Sequence, residues 1–189
     1  MSEISGIGVK AIWFGSVISA VAKPYVKGDK TSGLSPAELK AFLAEETTKK
    51  ITNIHEDNWN YEKTKPTRNG YKNKLKGTIY RKSTSDSGES KITLIVGKYD
   101  FELKAALEGG NASEDKWSAP SEFEPNEKTF VALTEDDVYI IYPKADIVAG
   151  GVTTDDAIGE SVEVSALEPD IQIESEAHIR KSAVDAVTP

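Results

Sequence analysis

"KTFVALTEDDVYIIYPKADI", residues 128–147, carries the fold. Two apolar runs, 130–133 and 138–142, flank the acidic turn Thr134-Glu135-Asp136-Asp137. β-branched and aromatic residues on both sides of a short polar break describe a β-hairpin. Beyond it, "SVEVSAL" (161–167) sets Val162, Val164 and Ala166 against Glu163 and Ser165, the period of a half-buried strand. "DIQIESEAHIRKSAVDAV" (170–187) predicts a weaker strand and a tail.

Upstream lies "KITLIVG" (91–97), a strand of nearly continuous apolar character that Gly97 ends. The chain then turns into "FELKAALE" (101–108), with Asp100 placed to cap the helix and Gly109-Gly110 to stop it. Leu103 and Leu107 stand one turn apart, with Phe101 nearby, so this helix is expected to pack back on the sheet. A loop through Trp117, Pro120 and Pro125 leads on to the hairpin.

The first part of the chain follows the same style. "GIGVKAIWFGSVISAVAKP" (6–24) predicts two strands, 7–14 and 16–22, and 23–33 a polar arm. In "LSPAELKAFLAEE" (34–46), Ser35 and Glu38 form a capping box and Pro36 fits the first helical position. Leu39, Phe42 and Leu43 then make one apolar stripe, with Lys40 and Glu45 outside. A strand is expected near 51–55, a long polar loop over 58–70, and a strand over 72–82. That strand is expected to pair with 91–97 through the turn "STSDSGES" (83–90). Many short strands and one or two helices predict a mainly β (α+β) fold: a β-sandwich or small β-barrel with flanking short helices. Residues 1–170 are expected to form one domain and 171–189 a C-terminal extension.

With 189 residues the chain can bury one ordinary core. Apolar residues at 38% and charged residues at 29% describe a polar globular protein. A net charge of −8 argues against general nucleic-acid binding, because phosphates repel it. No cysteine is present, which excludes disulfides, thiolate metal sites and cysteine nucleophiles, and suits a reducing compartment. The acidic start "MSEIS" is unlike a signal peptide, and the apolar run 12–22 falls short of the ~20 residues that span a bilayer. Folding in a cytoplasm without membrane insertion is therefore expected.

Chemistry-bearing motifs are scarce. The histidines are His55 and His178, and "HED" (55–57) reads as a polar strand end, not as a metal fragment. Gly6-Ile-Gly8 lacks the third glycine of a dinucleotide fingerprint; no HExxH, GxSxG or GxxxxGK[ST] occurs. The pairs Asp136-Asp137 and Asp155-Asp156 read as solvated turns better than as a general acid and base. Trp13, Trp59 and Trp117 are far apart in sequence, which suits core or interface roles better than a sugar platform. No enzyme activity, cofactor or metal is expected.

Charge is segregated along the chain. Residues 58–91 hold nine Lys/Arg against three Asp/Glu, whereas 100–170 hold four Lys against eighteen Asp/Glu. The two halves can be solvated faces. The basic half can instead grip phosphate, although it lacks the arginine content and the regular interleaving of stacking residues expected of such a grip. Or the halves can be complementary between copies, a heterologous contact that closes rings or stacks them.

The order of features resembles the major tail tube proteins of tailed bacteriophages, and the related ring protein of type VI secretion. The resemblance covers about 51–166. It is carried by the polar loop and hairpin, the strand-to-helix unit "ITLIVGKYDFELKAALEGG" (92–110) with its Tyr99-Asp100 turn, and the Trp-containing loop. It implies a structural subunit whose homohexameric rings stack into a hollow tube for DNA ejection. It also implies strands shared between neighbours and arms reaching the next ring. The implied partners are further copies, the tape measure protein, baseplate or tip proteins, the tail terminator, and DNA that passes without specific binding. The implied location is the virion tail, after assembly in the host cytoplasm.

On this reading 23–33, 58–70 and the C-terminal tail are candidate contacts between rings. The candidate inter-subunit residues are Trp59, Lys63, Lys65, Arg68, Tyr71 and Lys72. Glu135, Asp136 and Asp137 are the candidate lumen-facing acids, repelling phosphate so that DNA slides. The alternatives are another tail, neck or decoration protein, or a β module that binds carbohydrate or protein.

Overall fold

The hairpin at 128–147 is the spine of the molecule. The computed structural model describes residues 8–55, 59–86, 88–122, 124–154 and 158–188. The chain runs through β1 (Val9–Gly15), α1 (Pro36–Ala44), β2 (Lys49–Ile51), β3 (Asn60–Lys63), β4 (Thr67–Lys72), β5 (Ile79–Asp86) and β6 (Ser90–Val96). It continues through α2 (Phe101–Glu108), β7 (Asn111–Ser113), β8 (Lys116–Ser118), β9 (Glu127–Thr134), β10 (Val138–Thr153), β11 (Ile158–Ala166), β12 (Ala177–Arg180) and α3 (Lys181–Asp185). The fold is mainly β, a large antiparallel sheet with short helices, as the sequence predicts.

The main sheet has the order β2-β1-β9-β10-β11-β6-β3, with β12 also on β10. Strand β10 organises it. Its first half pairs with β9 on one side and β12 on the other (Ile140 faces Ala132 and His178), and its second half pairs with β11. Pro143 lies where the β9 register shifts, between Tyr142 and Ala145. A proline can sit inside a central strand only at such a bulge, because it has no N–H for the ladder. Its carbonyl instead accepts a hydrogen bond from Thr129 Oγ1 at 2.6 Å.

The sheet curls. After β2 leaves β1, Ile54 bridges to Val96, His55 N donates to Ile95 O at 2.8 Å, and β3 pairs with β6. Residues 49–55 thus touch β1 at one end of the sheet and β6 near the other, a barrel-like closure. Inside lie Ile12, Phe14, Leu94, Phe130, Tyr142, Ile147 and Val162, with Leu107 of α2. The outer face of β9 and β10 (Val131, Leu133, Tyr139, Ile141) is covered by Leu39 and Phe42 of α1, Val184 of α3, and Ile173. Both faces of the hairpin are therefore buried, which is why its strands read as continuous apolar runs instead of alternating.

Both helices begin as the sequence predicts. Ser35 and Glu38 make the reciprocal capping box, and Asp100 accepts from Leu103 N at 2.7 Å. At the end of α2, Gly109 and Gly110 have φ 80° and 89°, and a Cβ on Gly110 would collide with Ser118 O.

Several expectations are corrected. Residues 16–22 are not a strand: β1 already has β2 and β9 on its two edges. Ile18 and Val21 serve the second core from an irregular segment. The stretch 58–70 is not one loop, since β3 and most of β4 lie in it. The strand expected over 72–82 is broken by a tight turn. Asn73 Oδ1 accepts from Leu75 N at 2.9 Å, and Gly77 takes φ 67°. So β5 pairs back on β4 rather than on β6, and Asn69-Gly70 lies within a strand. Residues 111–118 form a small hairpin, β7–β8. Within 171–188, set apart above as an extension, β12 pairs with β10, and Ile173 and Val184 pack in the outer core.

Candidate assembly surface

The hairpin β4–β5 stands apart. Its strands pack on each other and have no extensive contact with another element. Its base is clasped to the sheet where Thr64 N donates to Glu89 O (2.9 Å) and Glu89 N donates to Thr64 Oγ1 (2.7 Å). Nine large apolar side chains are exposed among the described residues, and four of them are on this hairpin: Tyr71, Leu75, Ile79 and Tyr80. Leu75, at the turn, is 96% exposed. Between 65 and 82 the hairpin also carries seven Lys/Arg and no acid, all on exposed positions. At about 3.3 Å per residue, strands of this length make an arm on the order of 20 Å long. Large apolar side chains exposed on such an arm make it a candidate contact surface.

The residues singled out from the sequence divide into two groups. Lys65, Arg68, Tyr71 and Lys72 are on the arm or at its root and exposed; Arg81 lies 6.0 Å from the Tyr71 ring centroid. Trp59 and Lys63 make contacts within the subunit. Trp59 packs against the barrel core, and Lys63 Nζ pairs with Glu176 at 2.5 Å. Glu176 also accepts from Tyr61 Oη (2.7 Å) and contacts His178 Nε2 (2.7 Å), which fastens the segment before β12 to β3. Burial alone would raise the Glu176 carboxyl, but hydrogen bonds from His178, Lys63 and Tyr61 hold it well below the ordinary carboxylate range. Burial, and then Glu176 beside it, pushes the Tyr61 hydroxyl up to about 12.

Glu135, Asp136 and Asp137 form the exposed turn between β9 and β10. Asp137 has φ 57° and pairs with Lys10 at 2.9 Å, and its carbonyl accepts from Lys181 N. Of the three, Asp137 is thus paired with a cation of its own subunit. The Glu56-Asp57 part of "HED" and Asp155-Asp156 lie outside the described residues. Among the described residues, no group of three His, Cys, Asp or Glu could hold a metal ion, and no helix is long and apolar enough to cross a membrane.

One charge cluster could not be read from the sequence. Glu160 is wholly buried, and its Oε2 has no hydrogen-bond partner among the described residues. Lys104 Nζ binds Glu160 and, at 2.8 Å, Glu108, and lies 4.6 Å from the Trp117 ring centroid. Burial would raise Glu160, but Glu108 and Lys104 hold it below its ordinary value; burial and Glu160 together push Glu108 up. A carboxylate buried with its lysine is a pin between β11 and α2. The only sequence signal for it is an acid on the apolar face of a strand.

Beside this pin, at the C-terminal end of α2, runs an open groove lined by Glu108, Gly110, Pro120, Glu122, Glu124 and Pro125, with adjoining volumes of about 240 and 500 Å³. Its two other glutamates, Glu122 and Glu124, are exposed. No protein-family profile and no curated protein matches this chain.

Proposed function

We propose that this protein is a structural subunit that assembles with copies of itself, and that the assembly is the tube of a bacteriophage tail. On this reading, hexameric rings stack into a hollow conduit for DNA. Tape measure, tip and terminator proteins meet the tube inside and at its ends, and the subunit catalyses nothing. The observation that carries the proposal is the β4–β5 arm. It exposes four large apolar side chains and seven cations, and has little to pack against in its own subunit. The opposite charge of residues 100–170 supplies a complementary surface on another copy. The acidic excess also suits a lumen along which DNA slides without adhering.

Negative-stain electron microscopy of the purified protein tests this reading. Hollow tubes of uniform width are the expected result. Isolated rings would point to a neck or terminator protein, and dispersed monomers at every concentration would overturn self-assembly altogether.

A further inference from the structure

We infer that the tip of the β4–β5 arm docks into the groove at the end of α2 on a second copy of this chain. The inference rests on the self-assembly reading above and names the surface that receives the arm. Two properties of the tip must be matched: a nearly fully exposed Leu75, and the cations Lys72, Lys74 and Lys76 around it. The groove offers both complements. Pro120 and Pro125 give it apolar walls, and Glu122 and Glu124 are exposed along it.

The groove's negative character has a second source. It lies at the C-terminal end of α2, where the helix dipole adds partial negative charge. Leu75 can then rest against the prolines while the lysines reach the glutamates, so apolar contact and charge pairing occur in one place. Arm and groove are different surfaces of one chain. Their contact is therefore heterologous: each copy that donates an arm still offers a groove, and the contact propagates from copy to copy. Behind the tip, Tyr71 on β4 and Tyr80 on β5 would suit single-stranded nucleic acid. The apolar Leu75 at its extremity and the acidic groove on the same chain favour a protein partner.

Charge reversal tests this directly, because every residue changed is exposed and the fold can be checked by circular dichroism and thermal unfolding. Three variants are compared with the wild type by sedimentation: K72E/K74E/K76E, E122K/E124K, and the two sets combined in one chain. Each reversal alone is expected to raise the concentration needed for assembly at least about tenfold, since like charges then face each other. The combined chain is expected to recover most of the wild-type assembly. If the wild type assembles and the single reversals assemble equally well, this docking is wrong while self-assembly stands. If the wild type does not assemble at all, the parent reading fails with it. If the arm reversal abolishes binding of a single-stranded oligonucleotide and leaves assembly intact, the arm is a nucleic-acid contact and the inference is overturned.

Discussion

Glu176 illustrates what single residues contribute here. Its carboxylate gathers Tyr61, Lys63 and His178 at a place where only 8% of the side chain is exposed. A folded-state carboxyl held below its unfolded value of 4.5 adds stability above that pH and loses it as pH falls through the folded value. Urea denaturation of the wild type should therefore show stability falling as the pH drops below about 4.5. In Glu176→Gln this part of the acid dependence should shrink, and stability at pH 7 should be lower by about 1–3 kcal/mol. An unchanged acid limb would remove Glu176 from this role. Lys104 gives a sharper case. Lys104→Met leaves Glu160 buried without its cation, and should lower stability by about 3–5 kcal/mol in the same assay. A loss below about 1 kcal/mol would mean that Glu160 is readily hydrated or protonated.

At the scale of elements, the helices and the central hairpin were legible because their signals are local. The Ser35–Glu38 box and the Asp100 cap satisfy backbone groups within one turn of chain, so the sequence displays both halves of each interaction. Asp100→Ala should accordingly cost about 1 kcal/mol, measured by denaturation. No loss would mean that α2 is held by its packing alone. What failed was pairing. Residues 72–82 alternate acceptably as a strand, and the turn signals Asn73 and Gly77 within them are outweighed by that alternation unless the pairing of 79–86 with 67–72 is known. The length of β10 was hidden for a related reason. Pro143 reads as a stop unless the facing strand is known to bulge there. Residues 16–22 show the reverse error, apolar because they cover a helix-lined core and not because they form a strand.

For the whole molecule, composition was a good guide to class and a poor guide to surface. Apolar content and punctuation gave a mainly β fold, but the closure of the sheet depends on residues 49–55, which meet β1 and then β6. The basic and acidic halves were visible as counts. Only the fold turns the basic half into a freestanding arm and places acids around a groove. Of the six candidate contact residues, four lie on the arm or at its root, and two are used inside the subunit. Contacts between arm and groove that rely on charge should weaken with ionic strength, since screening acts over about 8–10 Å near physiological salt.

Sedimentation velocity over a rising concentration series, at low and at high salt, tests self-assembly most directly. The account expects species far larger than the 20.5 kDa chain at low salt, receding as salt is added. A single 20.5 kDa species at every concentration and salt would contradict it.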